Sequence, residues 1–251
     1  MKCAKSLLAM MMAAITLTTS CKKTDDATPA NNQPNPQTPV VSDVDGALVS
    51  LKLNYSFSYP GVPAIPIEAQ IGVATMFNNR NTSSYVDAGA ISVNSNGLDK
   101  QGNNSYMKFA TIGQATTDLG FSNGSGWNVA GGNGVTGFSY NHNVAFPSYT
   151  GTLPTKVTRS SGVSINISSY TSNADSVYVL IAAGNQKVLK HYAASAGTVT
   201  IPASELASLP VVTNNTGIIE VDPFRYNIQT INGKQYAFIK EYAKVAYVNI
   251  D

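Results

Sequence analysis

The chain has 251 residues, enough for one or two domains with a real core. Its 16 Lys and Arg face 14 Asp and Glu, and Lys2 and Lys5 fall in a stretch that reads as a leader, so the remainder is close to neutral. That balance, without a basic cluster, excludes the electrostatic footprint of a nucleic-acid binder and a polybasic patch for anionic lipid.

The chain opens on a positive segment, Met1-Lys2-Cys3-Ala4-Lys5, followed by the apolar run Ser6–Leu17. At about a dozen residues the run is shorter than the roughly 20 of a permanent span, and it reads as a signal-peptide core. Small residues, Thr18-Thr19-Ser20, then meet Cys21. Cleavage is expected after residue 20, and the other reading is ordinary secretory cleavage that leaves Cys21 as a free thiol. Residues 17–21 resemble the lipobox of bacterial lipoproteins, with Leu17 one place further from the cysteine than the usual pattern. The resemblance implies that Cys21 carries lipid and that the bilayer is a partner through that anchor. Lys22-Lys23-Thr24-Asp25-Asp26 resembles the export signal of Bacteroidetes-type surface lipoproteins. This implies an outer-membrane location facing the cell exterior, with a periplasm-facing position as the alternative. Cys3 leaves with the leader, so no disulfide and no cysteine metal site is expected. Residues 21–42 form a linker. Its portion 27–42, ATPANNQPNPQTPVVS, has almost no large apolar residue before Val40. Prolines favour extended geometry at about 3 Å per residue, which makes a stalk of up to about 50 Å.

From Asp43 onward the pattern is β. Ala47–Tyr59 alternates, with Leu51, Leu53, Tyr55, Phe57 and Tyr59 on one face, which predicts a half-buried strand. Ile65–Phe77 repeats the behaviour, and Pro60–Pro66 between them is expected to be a turn. Further strands are expected at Tyr85–Val93, Tyr106–Ala110 and Gly126–Val129, with Asn94–Gly97 as a turn in which Gly supplies positive φ. In the second half the expected strands are Val163–Ile167, Asp175–Ile181, Lys187–Tyr192, Gly217–Val221 and Tyr236–Ile250. Ser204 is expected to cap a short helical turn that Pro210 ends.

The run Ser164–Val221 carries Asp175-Ser-Val-Tyr-Val179, then Val199-Thr-Ile-Pro-Ala-Ser-Glu-Leu-Ala-Ser-Leu209, then Gly217-Ile-Ile-Glu-Val221. It resembles the second half of a bacterial immunoglobulin-like domain of surface lipoproteins, which implies a β-sandwich and says little about function. The expected fold class is all-β, with one or two immunoglobulin-like sandwiches. The expected units are a leader 1–20, the lipidated Cys and linker 21–42, a sandwich 43–145 and a second sandwich 146–251. A single large sandwich across both halves is the alternative.

No catalytic constellation stands out, and no cofactor or metal is expected. His142 and His191 lack a metal-ligand spacing; His191 is expected to be solvated and His142 to lie in a loop. Asp43 and Asp45 look like the start of a calcium loop but lack the downstream Glu. Glu220 and Asp222 share one face of a strand, where like charges are expected to meet solvent. Trp127, the only Trp, sits in the glycine-rich stretch 120–137, with Tyr140, Phe146 and Tyr149 nearby in sequence. An exposed Trp127 with Tyr140 and Tyr149 would suit sugar stacking, and the alternative is that Trp127 plugs a core. The expected function is a non-catalytic surface module for binding or adhesion, with extracellular polysaccharide or a protein as partner. The alternative is a structural subunit of a fimbria or surface layer.

Overall fold

The computed structural model describes residues 44–59, 62–78, 80, 84–109 and 118–251. The expected leader 1–20, Cys21 and the linker 21–42 lie outside the described residues, as do Asp43 and Ala110.

The protein is all-β, as the alternating runs predict. The long hairpin β1 (Gly46–Tyr59) and β2 (Val62–Met76) comes first. Short strands follow: β3 (Ile91–Val93), β4 (Asn96–Gly97), β5 (Asp99–Lys100), β6 (Tyr106–Phe109), β7 (Ser125–Val129) and β8 (Phe138–His142). Next are β9 (Ser148–Tyr149), β10 (Lys156–Val157), β11 (Val163–Asn166) and β12 (Thr171–Ser172). The chain closes with β13 (Ser176–Ala183), β14 (Gln186–Ala193), β15 (Thr198–Ile201), α1 (Ala203–Leu206), β16 (Val212–Ile231) and β17 (Lys234–Ile250).

One main sheet runs in the order β14-β13-β16-β17-β1-β2-β6-β5, with β10 beside the end of β17. Its two halves join where β17 returns to pair in parallel with β1, from Gly46 opposite Tyr236 to Tyr55 opposite Val245. The expected boundary at 145/146 therefore does not separate two sheets, because strands from both sides of it share one. It separates two caps instead. The small sheet β4-β3-β7-β8 packs Ile91, Val93, Trp127 and Val129 onto Leu48, Ala74, Met76 and Phe238 of the main sheet. The pair β11-β15 and α1 pack Val163, Ile165, Val199, Ile201 and Leu206 onto Val177, Val179, Ile181, Ile219 and Val221. Strand pairing puts both sets of main-sheet residues on the same face. That face also needs Gly72, where a Cβ would meet Val93 Cγ1 at 3.0 Å.

Three local expectations change. Pro60–Pro66 is not all turn: β2 already starts at Val62. Proline is tolerated there because β6 reaches only Ile71–Ala74, which leaves Pro66 paired with Ser56 on one side alone among the described strands. In the β3–β4 turn the left-handed residues are Asn94 (φ 46°) and Ser95 (φ 64°), not Gly97. A two-residue hairpin needs positive φ at both central positions, and Asn94 is locked there by its side chain. The Asn94 amide donates to Leu119 O and Gly124 O and accepts from Gly126 N at 2.7 Å. Finally, α1 is preceded by Pro202 and ends at Leu206, so Ser204 lies inside it and caps nothing.

Candidate functional site

The structure buries the expected sugar platform. Trp127 lies on β7 opposite Tyr140 on β8 and is only 1 % exposed within the first core. The glycine-rich flanks serve close packing rather than display; Gly131 (φ 93°) has no room for a Cβ beside Gly137 N. Tyr140 is half-buried, with its ring 4.1 Å from that of Phe238 and its hydroxyl accepting from Asn227. Tyr149 is buried in the other cap, where its hydroxyl donates to Asn166 O at 3.0 Å. Trp127 and Tyr140 are thus brought together and Tyr149 is not. Stacking of a sugar on Trp127 is corrected to a core role, because no face of its indole meets solvent.

The other candidates also move. Asp45 takes Arg80 at 2.7 Å and the Gln235 N–H at 2.7 Å, tying the start of β1 to the start of β17 rather than opening a calcium loop. His142 ends β8 instead of lying in a loop, and it is 1 % exposed with neither ring nitrogen hydrogen-bonded. Burial, followed by the charges of Lys240 and Arg225, holds it down to about 4. His191 is half-buried rather than solvated, packed beside Tyr178 and Phe224.

The charged residues of the main sheet sort by face. On the capped face stand Lys52 of β1 and Lys240 and Lys244 of β17. The segment between the caps, 143–151, crosses above them. Lys240 is buried; its Nζ donates to Val144 O at 2.7 Å and lies 4.7 Å from the Phe146 ring centre. Lys52 Nζ sits 5.0 Å from the same ring. Lys244 donates to Gly151 O at 2.7 Å and lies 5.9 Å from the Tyr149 ring. Carbonyls and aromatic faces thus receive all three cations. Burial, followed by the neighbouring Lys52 charge, lowers Lys240 to about 8.

The opposite face carries Glu220 and Asp222 of β16 and Glu241 of β17. Sequence reasoning put the first two in solvent and missed Glu241 altogether. Asp222 is 2 % exposed, and Glu220 and Glu241 are half-buried. Glu220 and Asp222 share a hydrogen bond, while Asp222 Oδ1 has no partner. Burial pushes Glu220 up to about 7 against the bond from Asp222; burial and the Glu220 charge push Glu241 up to about 7. Asp222 is raised further, by burial first and then by its two acidic neighbours. Around the trio lie stacked Tyr178 and Phe224, their centroids 4.8 Å apart. Val49, Leu51, Leu53, Ile71, Val73, Ile218, Ala243 and Val245 form an apolar field on the same face. The described members of that field belong to the sheet itself and are buried, from Leu53 at 0 % to Val49 at 8 % exposed, so this face is not an open surface. Over one end lie Val44, Phe77 and Tyr85. Among the described residues no three His, Cys, Asp or Glu are placed as a metal set, this trio included.

Compared with known proteins, the chain matches no family, no curated protein and no solved structure.

Proposed function

We propose that the protein is an exported lipoprotein whose folded part is a non-catalytic binding module. In this reading the leader 1–20 is removed, Cys21 carries the lipid, and the linker 21–42 holds the module off the outer membrane, facing the exterior. The observation that carries the reading is the order of apolar leader, Cys21 and proline-rich linker ahead of an all-β folded part. Burial of Trp127 and Tyr149 takes away the aromatic platform for polysaccharide, so a protein partner is the favoured ligand class. The structural-subunit reading requires an exchangeable edge strand. The described edge β14 instead carries Lys187 and Lys190, a pattern that discourages strand addition.

The test is fractionation of cells expressing the wild-type chain and Cys21→Ser. The wild type should enter the detergent phase and be shaved from intact cells by protease, and the variant should be soluble. Equal detergent partitioning of the two would sink the anchor.

A further inference from the structure

The main sheet has an open edge along the last third of β16. β13 pairs with β16 only from Ile218 to Phe224, while β16 runs on to Ile231 against β17. Beyond Phe224 the side of β16 away from β17 has no strand beside it among the described residues. The turn Asn232-Gly233 closes on the pair Ile231–Lys234, so Arg225, Asn227, Gln229 and Ile231 direct their backbone groups at β17. Tyr226, Ile228 and Thr230 direct theirs outward. Asp175 closes the start of this edge: its N–H donates to Phe224 O at 2.9 Å, and its Oδ2 accepts from Tyr226 N at 3.3 Å. The N–H and C=O groups of Ile228 and Thr230 have no partner among the described residues. Ile228 is 37 % exposed, and Thr230 is exposed.

Two other open edges of the main sheet are guarded. β14 carries Lys187 and Lys190, and β2 ahead of Ile71 carries Pro63, Pro66 and Glu68. Tyr226-Asn-Ile-Gln-Thr-Ile231 has no charge, no proline and no glycine. It alternates aromatic or β-branched residues with amides as far as Thr230, and such a stretch accepts another strand.

The stretch is also complementary to itself. Laid antiparallel to a second copy about a two-fold axis at Gln229, Ile228 of each copy faces Thr230 of the other, and each outward N–H meets an outward C=O. Gln229 faces Gln229, so no like charges meet. Centring on Ile228 instead would set Thr230 against Tyr226, whose N–H is already held by Asp175. The length fits as well, because the second copy turns away at Asn232-Gly233 where Asp175 closes the edge. Lys234, just after that turn, comes to the same end of the joint as Asp175, which brings opposite charges together at both ends. The chain's own tail, 21–43, fits less well, because Pro29, Pro34, Pro36 and Pro39 cannot donate to a ladder.

We propose that two copies of this chain pair edge to edge through Asn227–Ile231 of β16, joining their main sheets into one. A two-fold joint uses the same edge of both copies and closes on itself, so it yields a pair rather than a fibre. The inference does not depend on the lipid anchor or on the class of ligand.

The experiment uses residues 21–251 with Cys21→Ser, a soluble chain that holds no other cysteine. Sedimentation velocity should show a dimer at tens of micromolar, as a short joint is a weak one. Ile228→Lys and, separately, Thr230→Pro should each raise the dissociation constant by at least about tenfold. Thermal melts check that both variants are folded, and an outward N–H on an edge is where proline is tolerated. Lys187→Ser/Lys190→Ser on the guarded edge should leave the dissociation constant unchanged. The register is read by cysteine trapping. Facing residues that share no hydrogen bond have Cα atoms about 4.5 Å apart, within disulfide range, so Gln229→Cys should give a linked dimer on mild oxidation. Asn227→Cys, which faces Ile231 of the other copy, should not. A monomeric soluble chain overturns the proposal, and so does a dimer that Ile228→Lys and Thr230→Pro leave intact. Linking of Asn227→Cys as fast as Gln229→Cys overturns it too, because the two copies would then meet in another register.

Discussion

The two faces of the main sheet both carry charge at their centres, and they treat it differently. On the capped face Lys52, Lys240 and Lys244 point into the seam between the caps, where the crossing segment offers Val144 O, Gly151 O and the rings of Phe146 and Tyr149. On the other face Glu220, Asp222 and Glu241 lean on one another, and Asp222 Oδ1 has nothing to accept from. Lys240 and Glu241 are consecutive residues of one strand, so the contrast is not one of location along the chain. What differs is the set of partners, since both faces are buried. A buried charge is stable when its partners arrive with the covering layer, and the capped side shows how this protein supplies them.

If this is right, substitutions on the capped face should cost stability, and substitutions of the acids should not. The largest effect is expected at Trp127. Replacing it by Ala leaves a cavity under the small sheet, so Trp127→Ala should lose about 3–5 kcal/mol in a urea melt. A loss under about 1 kcal/mol would mean that the cap is not packed as described.

Lys240→Ala comes next. It removes a charge-assisted bond to Val144 O and a cation over Phe146. The expected loss is about 1.5–3 kcal/mol. An unchanged midpoint would show that the seam does not hold the crossing segment.

The acids should behave in the opposite sense. Glu220 and Glu241 titrate in the folded chain near about 7, above their ordinary 4.5. The stability they contribute is fully present below about pH 4.5 and is lost as pH rises through about 7. His142, held at about 4 against an ordinary 6.5, acts in the reverse direction below about 6.5, and His191 is lowered too. Lys240, held at about 8, adds stability only as pH rises above that value. Between pH 6.5 and 8 the carboxyls therefore act alone, and the wild type should lose about 1–2 kcal/mol across that window. Glu220→Gln/Glu241→Gln should be the more stable chain at pH 8 and show a shallower profile there, with Asp222 the one buried acid of the trio left. A wild-type profile that is flat, or that rises toward pH 8, would remove the acids' burden.

Much of the fold was legible in period-two runs. The alternation of Ala47–Tyr59 and Val163–Ile167 becomes β1 and β11, and the buried run Asp175–Ile181 becomes β13; β11 buries alternate side chains, whereas β13 and the first half of β1 are buried on both faces. The extension of β16 through Asp222-Pro223 to Ile231 was hidden by a proline. Asn232-Gly233, with φ of 53° and 77°, was the available hairpin signal that this strand continues to β17. The parallel pairing of β1 with β17 joins residues about as far apart in sequence as the fold allows, and no local pattern reports such a contact. The candidate site was half legible. Glu220 and Asp222 were placed on one face, but their burial and the approach of Glu241 depend on that sheet pairing. Trp127 was read for its chemistry, while its position opposite Tyr140 in a covered sheet settles where it goes.

The most direct measurement is carbodiimide-driven amidation of the mature chain with glycinamide, read by mass spectrometry beside acetylation of its lysines. Lys240 should resist acetylation because the crossing segment covers it. Glu220 and Glu241, half-buried, should amidate more slowly than exposed Asp99. Lys240 acetylated as fast as exposed Lys187 would contradict the account, because the crossing segment would then leave it open.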